Sequence, residues 1–242
     1  MGNRFYEAGE QRAERVNDLF AAIAPRYDLI NDLQSFGLHR WWKRRLLQFA
    51  AVQPGDTALD LCCGTGDVAF ALAAAGARTT GVDFSAPMLA VAAARKAKVG
   101  APARPVFLQG DALHLPFPDE HFEVVTISYG LRNLANVAAG LREMWRVLKP
   151  GGRLLVLDFG KPDNATWRMA YFAYLRFAVP VFGRLFCKNA EAYAYILESL
   201  QHYPAQRGVD EQLRTLGAAD AHIVNFLGGV MSINVAEKPP TR

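Results

Sequence analysis

Residues 59–67 read Leu59-Asp60-Leu61-Cys62-Cys63-Gly64-Thr65-Gly66-Asp67, an acid at the tip of a short apolar run followed by a glycine turn. Gly64 and Gly66 let the backbone pass close to a ligand, in conformations that a Cβ would forbid. A second acid, Asp83, closes the next apolar run, Thr79-Thr80-Gly81-Val82. It follows Asp60 by about 20 residues, the place where a doubly wound fold holds a ribose. The three-glycine fingerprint G-x-G-x-x-G is missing, and with it any visible cradle for a pyrophosphate. Adenine and ribose without a phosphate point to S-adenosylmethionine. On this reading Asp60, Gly64, Thr65, Gly66 and Asp83 hold the cofactor. Asp83 accepts hydrogen bonds from the ribose hydroxyls, and Thr65 touches the methionine part. Asp111 and Ala112 follow the third apolar run and border the adenine, with the Asp111 carboxylate accepting from its exocyclic amine. Any one of these acids alone could be a helix cap or a turn acid. The joint spacing of Asp60 and Asp83 favours the cofactor.

Methyl transfer from a sulfonium is an in-line displacement that needs alignment and, for a weak nucleophile, a base. Arg132 and Asn133 lie at the tip of the fourth apolar run, where substrate must sit. A guanidinium there stabilises a developing phenolate through charge-assisted hydrogen bonds. The competing reading makes Arg132 a structural group tied to an acid. His39 and Tyr27 are further candidates for substrate contact, although a lone histidine is often only packed. The acceptor is narrowed by what is missing. Ser128-Tyr129-Gly130 is not the Asn-Pro-Pro-Tyr run of enzymes that methylate a flipped base, and no Pro-Cys pair supplies a covalent nucleophile. A small molecule is left.

Strand and helix patterns alternate from residue 58, which predicts a parallel sheet with right-handed crossovers. Strands are expected at Ala58–Leu61, Thr79–Asp83, Pro105–Gln109, Phe122–Ser128 and Arg153–Asp158. Helices are expected over Val68–Ala75, after Ser85 with Pro87 in its first turn, and over Val137–Leu148. A terminal pair, Ala221–Phe226 and Val230–Glu237, joins through Gly228-Gly229 as a β-hairpin. The fold class is therefore α/β, doubly wound and Rossmann-like, with a mostly parallel sheet that ends in an antiparallel hairpin. All of it forms a single domain, residues 1–242, with an N-terminal helical part over 11–51 and a helical cap inserted over 161–203. The cap's core, Met169–Phe182, is apolar around the whole helix. Arg168, Arg176, Arg184 and Pro180 interrupt it, and it falls short of the ~20 residues a bilayer span needs.

Hydrophobic residues make up 51% of the 242 and charged residues 21%, a globular balance. Twenty-seven Lys and Arg against 23 Asp and Glu leave +4, too mild and scattered to argue for nucleic acid. Three cysteines, two of them adjacent, form neither a disulfide framework nor a metal site, which suits a reducing cytoplasm. The polar start Met1-Gly2-Asn3-Arg4 is not the start of a signal peptide.

Three stretches carry a resemblance to a known family. They are Tyr27-Asp28-Leu29-Ile30-Asn31-Asp32 with Ser35-Phe36-Gly37-Leu38-His39-Arg40-Trp41-Trp42-Lys43-Arg44, then Ile127-Ser128-Tyr129-Gly130-Leu131-Arg132-Asn133, then Arg146-Val147-Leu148-Lys149-Pro150-Gly151-Gly152. The chain resembles the ubiquinone/menaquinone biosynthesis C-methyltransferases from about Val16 to Lys238. The resemblance implies a class I S-adenosylmethionine-dependent methyltransferase that methylates a ring carbon of a prenylated quinol. Thr65, Asp83, Asp111 with Ala112, and Ser128 stand at that family's cofactor-contacting positions. Cys63 stands where many members have glycine, and is expected to narrow the turn's freedom. Asp158 stands where many have glutamate. The Cys62-Cys63-Gly64 turn and the Gly228-Gly229-Val230-Met231 ending look more like the naphthoquinone branch, so demethylmenaquinol is the expected acceptor. A hydroquinone carbon becomes nucleophilic when the adjacent hydroxyl loses its proton, and Arg132 then stabilises the phenolate. The oily cap holds the isoprenoid tail, and Arg168, Arg176 and Arg184 meet lipid phosphates, which puts the protein at the inner face of a membrane. A second copy of the chain is a further partner that the sequence leaves open. So are a benzoquinol acceptor, another phenol-oxygen or sterol-like acceptor, and a non-catalytic quinone-binding role.

Overall fold

The computed structural model describes residues 31–32, 35–100, 104–182 and 191–241, and the backbone alone for 178–182 and 191–196. Its elements in chain order are α1 (Leu38–Ala50), β1 (Thr57–Leu61), α2 (Asp67–Ala74), β2 (Arg78–Asp83), α3 (Ala86–Lys96), β3 (Val106–Gln109) and β4 (Phe122–Ser128). They continue as α4 (Val137–Val147), β5 (Leu148–Phe159), α5 (Ala165–Phe182), α6 (Glu191–His202), α7 (Ala205–Thr215), β6 (Asp220–Phe226) and β7 (Met231–Glu237). The strands form one seven-stranded sheet in the order β3-β2-β1-β4-β5-β7-β6. Every neighbouring pair from β3 to β5 is parallel, and β7 joins β5 and β6 antiparallel. The expected doubly wound sheet with its closing hairpin is the observed one. Of the N-terminal helical part expected over 11–51, residues 11–30, 33 and 34 lie outside the described residues.

The central strands are apolar on both faces because helices cover both. On one face Leu59, Leu61, Val125, Ile127, Leu154 and Val156 pack with Leu141, Met144 and Trp145 of α4 and with Val209 and Leu213 of α7. On the other, Ala58, Val124, Leu155 and Leu157 pack with Trp42, Leu46 and Ala50 of α1 and with Val68 and Leu72 of α2. The period of two along each strand therefore decides which helix layer a side chain meets. Most boundaries fall within a residue of the sequence expectation, and the largest difference is at the start of β5. β5 begins at Leu148, which pairs with Phe122, and the register shifts before Arg153 resumes opposite Val124. Lys149-Pro150-Gly151-Gly152 is thus an irregularity inside a strand, where the sequence reads as a turn before one.

The inserted cap is α5 and α6. Tyr171 and Leu175 turn inward from α5 and join Leu200 and Tyr203 over Leu131. The opposite side of α5 is apolar too, but exposed: Met169 is 69% and Phe177 67% accessible. Both roots of the cap are pinned. The Gln206 side chain accepts from Lys161 N at 2.8 Å and donates to Lys161 O at 2.9 Å. Lys161 Nζ reaches Tyr203 O at 2.7 Å, and Asn234 of β7 donates to Gln206 O at 2.8 Å. Gly160 makes this junction sterically feasible. A Cβ on it would stand 2.3 Å from the Gly229 carbonyl oxygen and 2.9 Å from Gln206 Oε1. Gly160→Ala is therefore expected to cost about 1–3 kcal/mol of stability, the usual range for overpacking. Urea unfolding measures it, and a loss below half a kcal/mol would mean the junction yields freely.

Candidate active site

The carboxyl ends of β1, β2, β3, β4 and β5 open on one edge of the sheet, where ligands of open α/β sheets bind. That edge collects the Cys62–Gly66 turn, Asp83, Asp111, Ser128 and the Tyr129–Asn133 segment. The turn leaves β1 with left-handed backbone at Cys62 (φ 50°), Gly64 (φ 54°) and Gly66 (φ 88°). Two of these positions are glycine, as the conformation favours. The third is Cys62, not Cys63, so the strain a cysteine brings falls one residue earlier than expected. Cys62 also presses against the tip of β4. A Cβ on Gly130 would lie 2.4 Å from Cys62 Cβ.

Asp83 closes the turn from β2. Its carboxylate accepts Gly64 N at 2.7 Å and Ser85 N at 2.8 Å. Burial pushes its pKa up, and these backbone bonds oppose the rise. Asp60 is buried beneath the turn, accepting from Thr126 Oγ1 at 2.9 Å across the β1–β4 pairing. Burial raises its pKa to about 7, against a smaller pull from the Thr126 hydrogen bond and from Lys43.

The turn is clamped from outside by a group that the sequence reading did not single out. Asp67, the first residue of α2, takes Lys43 Nζ of α1 at 2.8 Å and Arg95 Nη2 of α3 at 2.6 Å. The same Arg95 donates from Nη1 to Thr65 O at 2.9 Å. Burial alone would raise Asp67, but the two cations together overcome it and hold the carboxyl at about 2. An acid in a helix's first turn was the available signal. Its partners, far off in sequence, were not.

Ser128 and Ser85 flank the crevice from β4 and from the start of α3. The Oγ of each is buried with no hydrogen-bond partner among the described residues. Buried polar atoms in that state call for a ligand or water. Together with the Asp83 carboxylate and the left-handed turn they fit S-adenosylmethionine, which is rich in donors and acceptors. Asp111 lies at the end of β3 with a half-exposed carboxylate that accepts Leu113 N at 2.9 Å and stands 3.4 Å from His114 Nδ1. Ala112 behind it is buried in the core.

Arg132 is at the expected strand tip, and its guanidinium is paired with an acid, as the competing sequence reading has it. It is 5% exposed. Nη1 lies 2.7 Å from Asp158 Oδ1 and donates to Tyr129 O, while the backbone N of Arg132 donates to Asp158 Oδ2 at 3.2 Å. Phe159 lies under the guanidinium, 4.8 Å from ring centroid to Cζ. The structural tie to an acid is what the geometry holds, with Asn133 Nδ2 joining the same Tyr129 carbonyl at 3.3 Å. His39 is the first residue of the buried stripe of α1, with Nδ1 2.9 Å from Ser35 Oγ. Burial, then Lys43, depress its pKa, so it is neutral at physiological pH. Tyr27 lies outside the described residues.

The chain matches the ubiE/COQ5 methyltransferase family over residues 7–238. It belongs to that family. It is 40% identical over 232 residues to the ubiquinone/menaquinone biosynthesis C-methyltransferase UbiE of Ectopseudomonas mendocina, covering 95% of this chain and 91% of that one. The UbiE of Cellvibrio japonicus is 38% identical over 233 residues, covering 95% and 94%. Among solved structures, an S-adenosylmethionine-dependent methyltransferase of Thermotoga maritima superposes with a TM-score of 0.63 at 18% identity, over 91% of this chain and 99% of that one. Phosphoethanolamine N-methyltransferase 2 of Haemonchus contortus does so at 0.62 and 19%, over 82% and 52%, and the latter holds S-adenosylhomocysteine. The protein is thus a methyltransferase that uses S-adenosylmethionine, on a class I fold.

Asp60 makes a pH-dependent contribution of defined sign. Its folded pKa of about 7 exceeds the ordinary 3.8, so folding takes up a proton between those values. Its contribution therefore erodes stability as pH rises from about 4 to 7 and is constant above. Asp60→Asn removes that slope, and the difference in unfolding free energy between variant and wild type is expected to grow by up to about 4 kcal/mol over the window. Taking the difference largely cancels His39, whose depressed pKa works in the opposite sense. Urea unfolding at a series of pH values measures it, and a flat difference would place the carboxyl's pKa near 4.

Proposed function

We propose that this protein methylates a ring carbon of a prenylated hydroquinone in quinone biosynthesis, with demethylmenaquinol as the acceptor and menaquinol as the product. One observation carries the lipophilic acceptor: the start of α1, α5 and the β6–β7 turn expose large apolar side chains. Phe36 (79% exposed), Leu38 and Trp41 around the start of α1, Leu227 in the β6–β7 turn, and Trp167, Met169, Tyr174 and Phe177 of α5 are all exposed. They are joined physically. Trp41 packs edge-on against Phe226, 5.0 Å between centroids, and Trp167 Nε1 donates to Leu227 O at 2.9 Å. Apolar surface on this scale marks a partner, a ligand groove or a membrane. Arg168 and Arg176 stand among these residues, which suits an isoprenoid tail drawn from a bilayer whose phosphates meet the guanidinium groups. Arg184 lies outside the described residues. No described helix is long and apolar enough to cross a membrane, so contact would be peripheral. The names of the relatives at about 40% identity support quinone methylation, and the Cys62-Cys63-Gly64 turn supports the naphthoquinone branch.

S-adenosylmethionine, when bound, supplies the methyl: a carbon–carbon bond to the ring forms, the carbon–sulfur bond breaks with its electron pair left on sulfur, and the ring carbon's proton leaves. The chain's own part is alignment and electrostatics. Asp83 and the Gly64–Gly66 turn orient the donor end of the crevice. The Arg132–Asp158 pair fixes the Tyr129–Asn133 segment that forms the acceptor's side, and the buried stripe of α1 carries His39 beside the Lys43–Asp67 clamp.

Purified protein with labelled S-adenosylmethionine and chemically reduced demethylmenaquinone is expected to yield labelled menaquinone. Asp83→Ala is expected to lower cofactor affinity at least about tenfold, since the carboxylate both closes the turn and accepts from ligand hydroxyls. Transfer to a demethylated benzoquinol alone would keep the chemistry and change the branch, and transfer to neither would remove the quinol reading. Flotation with anionic liposomes at low salt tests the surface, where absence of binding would count against membrane contact.

A further inference from the structure

The cap buries a phenol with nothing to bond. Tyr171 is 6% exposed, and its Oη has no hydrogen-bond partner among the described residues. A hydroxyl left so forfeits the hydrogen bonds it made to water, and native interiors keep few of them. Packing gives no reason for the oxygen, because phenylalanine would fill the same space. The location supplies one. Tyr171 stands in the cluster with Leu131, Leu175, Leu200 and Tyr203, within electrostatic reach of Arg132 and Asp158 as well as of Tyr174. Arg132 and Asp158 mark the carboxyl ends of β4 and β5, the edge of the sheet at which ligands bind. Arg132 meanwhile directs Nη1 to Asp158 and the Tyr129 carbonyl.

We propose that the Tyr171 hydroxyl is a catalytic group that donates a hydrogen bond to the ring oxygen adjacent to the carbon being methylated. The proposal rests on the quinol reading above. As the quinol hydroxyl loses its proton, charge develops on that oxygen, and a fixed donor in a water-excluded site stabilises it. Tyr171 keeps its own proton throughout: the quinol hydroxyl's proton passes to water, and the oxygen takes a proton back as the ring carbon loses its own and the ring regains aromaticity, so one proton is released per methyl transferred. Burial pushes the phenol's pKa up, which keeps it a donor and unfits it as a base. The bond also gives the buried oxygen the partner it lacks among the described residues.

Tyr171→Phe tests this with the full chain, reduced demethylmenaquinone and labelled S-adenosylmethionine. The kcat/KM for the quinol is expected to fall about 10²-fold. Cofactor affinity by calorimetry should stay within about twofold, and the Tm of the free protein should be equal to or above wild type, because no bond is lost on removing an unpartnered hydroxyl. A structural tyrosine would show the reverse, a lower Tm with turnover retained. Near-normal turnover in the variant would overturn the proposal, and so would a clear loss of Tm. Wild-type protein that transfers no methyl to any reduced quinone would overturn the quinol reading itself, an outcome visible before any variant is made.

Discussion

A guanidinium and a carboxylate, both withdrawn from water, meet at the tips of β4 and β5. Taking either charge out of solvent is expensive, and removing one partner of such a pair typically costs about 3–5 kcal/mol. Arg132 and Asp158 therefore have little choice of geometry. Asp158 takes the Arg132 guanidinium, the Arg132 backbone N and Phe159 N at 2.8 Å. The chain between the two strands must bend back for this to happen, and it does so through left-handed backbone at Tyr129 (φ 60°). Arg132, Asn133 and the Tyr129 carbonyl then hold one another. The cap meets this segment through the core, where Tyr171 of α5 and Tyr203, just past α6, share a cluster with Leu131.

At the other end of the crevice the constraint is backbone conformation. Three left-handed residues within five need support, because such turns hold their shape only when the surroundings over-determine them. Asp83 bonds the turn from inside, and Asp67 ties it from outside to α1 and α3. The Lys43 contact explains the placement of α1. Its buried stripe docks on the sheet through Trp42, Leu46 and Ala50, which brings the lysine to the start of α2. The aromatic and basic residues that precede β1 are thus part of the cofactor side of the site as well as of the oily rim.

Much of this was legible in residue order. The strands, the closing hairpin and the acids at strand tips follow from local periodicity and turn chemistry, which act over a few residues. What escaped reading has a common cause. Cys62, and not Cys63, takes the left-handed conformation, and it lies against Gly130 just past the end of β4, a contact that residue order does not reveal. β5 starts at Leu148 because Phe122 offers it a partner. Asp67 looked like a helix-start acid, and its cations come from elements that precede and follow it by more than twenty residues. The sequence reading allowed Arg132 an acid as partner, and which acid, Asp158, 26 residues on, follows from the pairing of β4 with β5.

The sequence by itself determined the α/β class, the adenosyl-type turn and the membership that three separate motifs announce, since these depend on residue types at short spacing. Only the tertiary structure decided which charges neutralise each other, that the hydroxyls of Ser85, Ser128 and Tyr171 have no partner among the described residues, and which apolar residues are left exposed. The physical reason is that pairing, burial and surface continuity belong to positions in space. Packing of seven strands between two helix layers brings those positions together from distant parts of the chain.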